Sequence, residues 1–105
     1  MPIVKKDLFS PQQNRLADLA KVLGHPARIA ILEILSRNGA CVCGSLVDEL
    51  GLSQSTVSQH LKAMKLVGLI RGNVEGTAVC YCLDIKVCQE AMQSLGQLFK
   101  RTGCC

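Results

Sequence analysis

Leu52-Ser53-Gln54-Ser55-Thr56-Val57-Ser58-Gln59-His60-Leu61-Lys62-Ala63-Met64-Lys65-Leu66-Val67-Gly68 is the stretch whose reading decides the fold. The Ser53 hydroxyl can accept a backbone N–H left over in a first helical turn, so a helix is expected to start just after it. Gly68 stops that helix. Val57, Leu61 and Met64 fall on one apolar stripe at helical spacing, and Ser55, Ser58, Gln59 and Lys62 form a polar stripe on another face. Upstream, Leu46, Val47 and Leu50 mark a shorter helix over about residues 44–50, and Gly51-Leu52-Ser53 is a tight turn between the two. These dimensions are those of a helix-turn-helix. Downstream, residues 69–74 and 78–83 read as two strands around Glu75-Gly76-Thr77, a hairpin that adds a wing. The fold class is therefore mainly α with a small β hairpin, a winged helix-turn-helix.

A recognition helix must carry short polar side chains near its start, where it enters a major groove and meets base edges. Gln54, Ser55, Thr56, Ser58, Gln59 and His60 meet that need. Lys62, Lys65 and Arg71 are available for phosphates, and residues 51–74 hold these three cations with no acidic residue. Double-stranded DNA is the expected partner.

Working outward, Pro11 stands where a helical turn can begin, and Leu16, Leu19, Ala20 and Leu23 follow the helical stripe. Gly24 ends that helix. His25-Pro26 restarts the chain into a second helix to about Ser36, with Ile29, Ile31, Leu32, Ile34 and Leu35 covering most of its surface; this reads as central core. Asn38-Gly39 is a break, and Ala40-Cys41-Val42-Cys43 has the alternation of a brief strand. Asp84 can cap a last helix, in which Cys88, Met92, Leu95 and Phe99 make one stripe and Val87, Ala91 and Leu98 widen it. One small protomer cannot easily cover the stripes of its first and last helices, so a symmetric homodimer is expected. The layout is a leader over 1–10, the DNA-binding domain over 11–100 and a flexible cysteine-containing tail over 101–105.

Composition excludes other classes. A chain of 105 residues has room for one core, and 49% hydrophobic against 19% charged residues excludes a disordered tail. The aromatics are Phe9, Tyr81 and Phe99 alone, too few for a base-stacking single-strand platform. No apolar run is long enough to span a bilayer and no export signal is legible, so no membrane partner and a cytoplasmic location are expected. The seven cysteines fall as Cys41/Cys43, Cys80/Cys82, Cys88 and Cys104/Cys105. An odd count in a reducing compartment points to free thiols that ligate soft metals or act as redox groups rather than to a disulfide framework. No Cys-x-x-Cys and no nucleophile–base–oxyanion set can be assembled, so neither an enzyme nor an organic cofactor is expected. His25 and His60 read as single histidines, His60 as a phosphate contact or a buried neighbour.

The runs Leu19-Ala20-Lys21-Val22-Leu23-Gly24-His25-Pro26-Ala27-Arg28-Ile29, Cys41-Val42-Cys43 and Leu52–Leu61 occur in an order that resembles the ArsR/SmtB family of metal-responsive repressors, over about residues 12–100. The resemblance implies a dimeric winged helix-turn-helix repressor that sits on a palindromic operator and lets go on binding an effector. It implies that the polar face of the recognition helix reads DNA and that the first and last helices build the dimer. It also narrows the effector. Zinc sensors of the family use His and carboxylate pairs on the last helix, and no His lies between Asp84 and Cys105. Cadmium and lead sensors add a cysteine from the N-terminal segment, whereas the first cysteine here is Cys41. Arsenite sensors use a Cys-x-Cys at the start of the motif, often with a third cysteine where this chain has Leu46.

Cys41 and Cys43 are accordingly the expected ligands of arsenic(III) or antimony(III), thiophilic ions that take three thiolates in a pyramid. By the same resemblance the strand over 40–43 pairs with the second strand of the wing. If Val42 faces the core, Cys41 and Cys43 face away; if Val79, Tyr81 and Leu83 face it, Cys80 and Cys82 share the other face. Cys80 or Cys82 is then the expected third ligand. Cys88 is expected to pack in the dimer interface, and Cys104 and Cys105 to be mobile. Three alternatives stand beside arsenite: a redox-responsive repressor, a sulfide-responsive repressor and a cadmium or lead sensor.

Overall fold

The computed structural model describes residues 5–39, 41–43, 46–75 and 78–102. A single 3-10 turn, Lys5–Leu8, precedes α1 (Pro11–Leu23), α2 (Pro26–Arg37), β1 (Cys41–Cys43), α3 (Leu46–Leu50), α4 (Gln54–Leu66), β2 (Ile70–Glu75), β3 (Ala78–Leu83) and α5 (Ile85–Thr102). Side chains fix most helix starts. Ser10 Oγ accepts from Gln13 N while Gln13 Oε1 accepts from Ser10 N, a reciprocal cap that sequence reading missed. His25 Nδ1 accepts from Ala27 N at 3.1 Å ahead of Pro26. Ser53 and Asp84 cap α4 and α5 as expected, at 3.3 Å from Thr56 N and Val87 N.

The sheet has the order β1-β3-β2, antiparallel throughout. The wing hairpin expected over 69–74 and 78–83 is present, but its first strand begins one residue later. The reason is local. Gly68 turns with φ +86, and Leu69 N–H bonds back to Met64 O at 3.1 Å, so Leu69 still closes α4. The turn expected at Glu75-Gly76-Thr77 falls partly outside the described residues, as does the tail from residue 103.

The core gathers Leu19 of α1, Ile31, Ile34 and Leu35 of α2, Leu46 of α3, Val57, Leu61 and Met64 of α4, Leu69, Ile70 and Ala91. Each large aliphatic side chain among these contributes about 1.5–3 kcal/mol on burial, and α2, which supplies three as α4 does, packs against α1, α3, α4, β1 and β3, so the others assemble on it. Its Ile29 nevertheless points outward, which narrows the all-round apolar surface read from the sequence. On α1 the buried pair is Leu19 and Val22 while Ala20 is exposed. An ion pair between Arg15 Nε and Glu90 Oε2 at 2.9 Å ties α1 to α5. Beyond it Leu8, Phe9, Met92, Leu98 and Phe99 stay exposed. Among the described residues no helix is long and apolar enough to cross a membrane.

Candidate nucleic-acid interface and thiol site

α3, the turn through Gly51 at φ +68, and α4 form the helix-turn-helix, with Gly51 N–H bonding to Val47 O at 3.0 Å. Burying Val57, Leu61 and Met64 rotates the other side of α4 into solvent. Gln54, Ser55, Ser58, Gln59, Lys62 and Lys65 are all exposed. Thr56 is half-buried, and its Oγ1 accepts from Ser53 Oγ at 2.9 Å, so it belongs to the cap as much as to the open face. The first turn of α4 has no acidic residue, which leaves its positive end open to an anion.

His60 departs from that face. Its residue surface is 8% exposed, its Nδ1 accepts from Arg28 Nε at 3.1 Å, and its ring meets that of His25 with centroids 4.4 Å apart, tilted by 57°. Of the two roles considered, buried neighbour is the one its position supports. The sequence carried the signal: residues 57, 60, 61 and 64 together complete the helical stripe. Burial, followed by the nearby His25 and Arg28, pushes the His60 imidazole below the usual histidine range. Arg28 also donates to Val22 O at 3.2 Å, so one guanidinium joins α1, α2 and α4. Neither histidine is single after all.

The wing stands beside the open face. A groove of about 570 Å³ between α4 and β3 is lined by Ser58, Leu61, Lys62, Lys65, Leu66 and Tyr81. Arg71 on β2 is 69% exposed at its side chain and lies 3.9 Å from Asp84 Oδ2, a loose contact that a phosphate can replace.

On the sheet, β1 and β3 run with Cys41 opposite Cys82, Val42 opposite Tyr81 and Cys43 opposite Cys80. This is the strand pairing expected from the sequence. Tyr81 and Leu83 pack on the core, so Cys80 and Cys82 take the opposite face. Val79, expected inward, is 41% exposed, and Cys80 is 5% exposed. The expectation of free thiols needs correcting here: Cys80 and Cys82 are both disulfide-bonded. The physical reason is that spacing along the chain does not fix which sulfurs a fold brings to bonding distance. Cys88 is a free, half-buried thiol packed on the core beside Leu69. Burial, and then Asp84, push that thiol up, away from the thiolate a ligand would need. Among the described residues no group of three or more His, Cys, Asp or Glu is gathered in a form ready to hold a metal.

Residues 25–71 match the model of a family described as bacterial regulatory protein, arsR family. The chain is 36% identical over 87 residues to the HTH-type transcriptional regulator CmtR of Mycobacterium tuberculosis, spanning 83% of this chain and 73% of that protein. It is 42% identical over 66 residues to the HTH-type transcriptional repressor SmtB of the same organism, spanning 63% of this chain and 48% of that one. It superposes on HlyU from Vibrio cholerae with a TM-score of 0.70 at 28% identity, covering 87% of this chain and 98% of the other.

Proposed function

The chain belongs to the arsR family of bacterial regulatory proteins, DNA-binding transcriptional regulators rather than enzymes, and from that premise we propose a cytoplasmic, homodimeric repressor that leaves a palindromic operator on capturing arsenic(III) or antimony(III). The observation that carries this reading is the register of β1 against β3, which sets Cys41 and Cys43 across from Cys82 and Cys80. Four cysteines on two rungs, separated by the Val42–Tyr81 rung, fit the chemistry of a trivalent thiophilic ion that takes three thiolates. The bound ion supplies three strong bonds to sulfur. In their reduced form Cys41 and Cys43 hold it, with Cys80 or Cys82 completing the set.

Release follows from where these strands attach. β1 leads into α3 and so into α4, while β3 is the central strand of the sheet and part of the wing. An ion drawn between β1 and β3 changes how the wing stands relative to α4, and operator is lost if the two states differ in DNA affinity. Gln54, Ser55, Ser58 and Gln59 read bases, with Thr56 at the edge of that set. Lys62, Lys65 and Arg71 take phosphates.

The test uses phosphine-reduced protein and a DNA duplex it selects from a random pool. Arsenite should displace the duplex, with three sulfurs around arsenic by X-ray absorption. A Cys80→Ser/Cys82→Ser double variant that keeps three-sulfur binding and releases DNA at the same arsenite concentration would remove the sheet from the ligand set. Displacement by cadmium or lead but not by arsenite would overturn the effector.

A further inference from the structure

Cys80 and Cys82 are disulfide-bonded, while Cys88 is free. Two residues apart on one strand, Cys80 and Cys82 have Cα atoms roughly 6.6–6.8 Å apart, at the far limit for a bridge. Residues facing each other across an antiparallel ladder stand only about 4.5–5.5 Å apart, well inside it. Each of the two has a cysteine facing it in that ladder, Cys41 opposite Cys82 and Cys43 opposite Cys80.

We propose that these two rungs form a reversible oxidation site, in which two molecules of hydrogen peroxide convert four thiols into the cross-strand disulfides Cys41–Cys82 and Cys43–Cys80 and thereby close the sheet to thiophilic ions. The clause about ions rests on the effector reading above; the disulfide chemistry does not.

Cys82 is half-buried and Cys80 is 5% exposed, so oxidation enters at Cys82. Its thiolate attacks one peroxide oxygen, the O–O bond breaks, and the departing hydroxide takes a proton to leave as water. The resulting sulfenic acid is attacked by the sulfur of Cys41; the S–O bond breaks, and the hydroxide leaves as a second water with the Cys41 proton. Two electrons pass from the sulfur pair to one peroxide. The second rung consumes a second peroxide in the same way. An oxidised rung has no thiolate to offer a metal, so oxidant and metal compete for the same sulfurs.

The test starts from full-length protein reduced with a phosphine and then freed of it. Hydrogen peroxide should lower its mass by four hydrogens, and a non-reducing tryptic digest should join the peptide over 38–62 to the peptide over 72–86. A Cys43→Ser variant should keep that link through Cys41 and Cys82 while losing only two hydrogens. The oxidised protein should lose its uptake of arsenite, and phosphine should restore it. A Cys80–Cys82 loop within one peptide, links to Cys88, or oxidation only to sulfonic acid would overturn the site, as would undiminished arsenite uptake by protein with both rungs mapped. If neither form takes up arsenite while the rungs map as stated, the effector reading falls and the redox site stands.

Discussion

At the open face of α4, a side chain's contribution depends on whether it meets a base edge or a phosphate. Ser58 and Gln59 are exposed and carry no charge, so their hydrogen bonds have to be directional. Ser58→Ala or Gln59→Ala is expected to relax preference for the selected duplex over random DNA by roughly 1–3 kcal/mol where the lost contact is a good paired one. Lys62→Ala and Arg71→Ala should instead weaken both duplexes alike and flatten the dependence of binding on salt by about one counterion each. Fluorescence anisotropy across a salt series reads both. Unchanged preference in Ser58→Ala would remove α4's assignment as the reading helix. His60 belongs to a different experiment. Because its folded-state pKa lies below the ordinary value, the unfolded chain binds more protons as pH falls. Its contribution to stability is therefore complete above about pH 6.5 and declines below it. Urea midpoints at pH 7.5 and 5.5 should differ in the native chain and differ less in His60→Gln. Glu90, held below the usual carboxylate range mainly by its hydrogen bond from Arg15, acts lower. Its stabilisation is present above about pH 4.3 and is lost on further acidification, and it is small because that pair is solvent-exposed and screened.

Elements were legible in the sequence wherever a local rule was strong. Ser53 and Asp84 announced helix starts through their hydroxyl and carboxylate, and Gly68 announced a stop through the left-handed backbone it adopts. At that glycine the rule can be measured. A Cβ there would meet Val87 Cγ2 at 3.4 Å, and φ is +86, so Gly68→Ala should cost about 1–2 kcal/mol from backbone alone by chemical denaturation. An unchanged midpoint would mean the α4–β2 connection rearranges freely. The pairing of β1 with β3 was legible only through family resemblance, because a three-residue strand has no periodicity long enough to specify a partner. The bonded state of Cys80 and Cys82 was not legible at all: sequence gives their spacing, whereas disulfide formation depends on which sulfurs the fold brings together. His60 was left between two roles for a related reason. Its imidazole suits both a phosphate and a buried acceptor, and Arg28, thirty-two residues away in sequence, decides which.

For the whole molecule, the unresolved demand is apolar surface. Leu8 is 71% exposed, Phe9 56%, Met92 67% and Phe99 65%, all on α5 or the approach to α1. Scattered apolar residues are ordinary on a protein surface, but these lie on, or lead into, the two helices that the Arg15–Glu90 pair joins. A twofold partner that laid its own copies of the same residues on them would bury that surface and place two α4 helices on one side, about 34 Å apart, to match successive major grooves. Sedimentation equilibrium at micromolar concentration should therefore give a dimer of the 11.3 kDa chain. A Met92→Glu/Phe99→Glu variant should sediment as a folded monomer, with native-like circular dichroism. It should still bind DNA weakly, since each α4 face is intact, but it should lose the gain from engaging both half-sites at once. A native chain that sediments as a monomer would count against the dimer, and a monomeric variant with full operator affinity would show that one copy is enough to read the site.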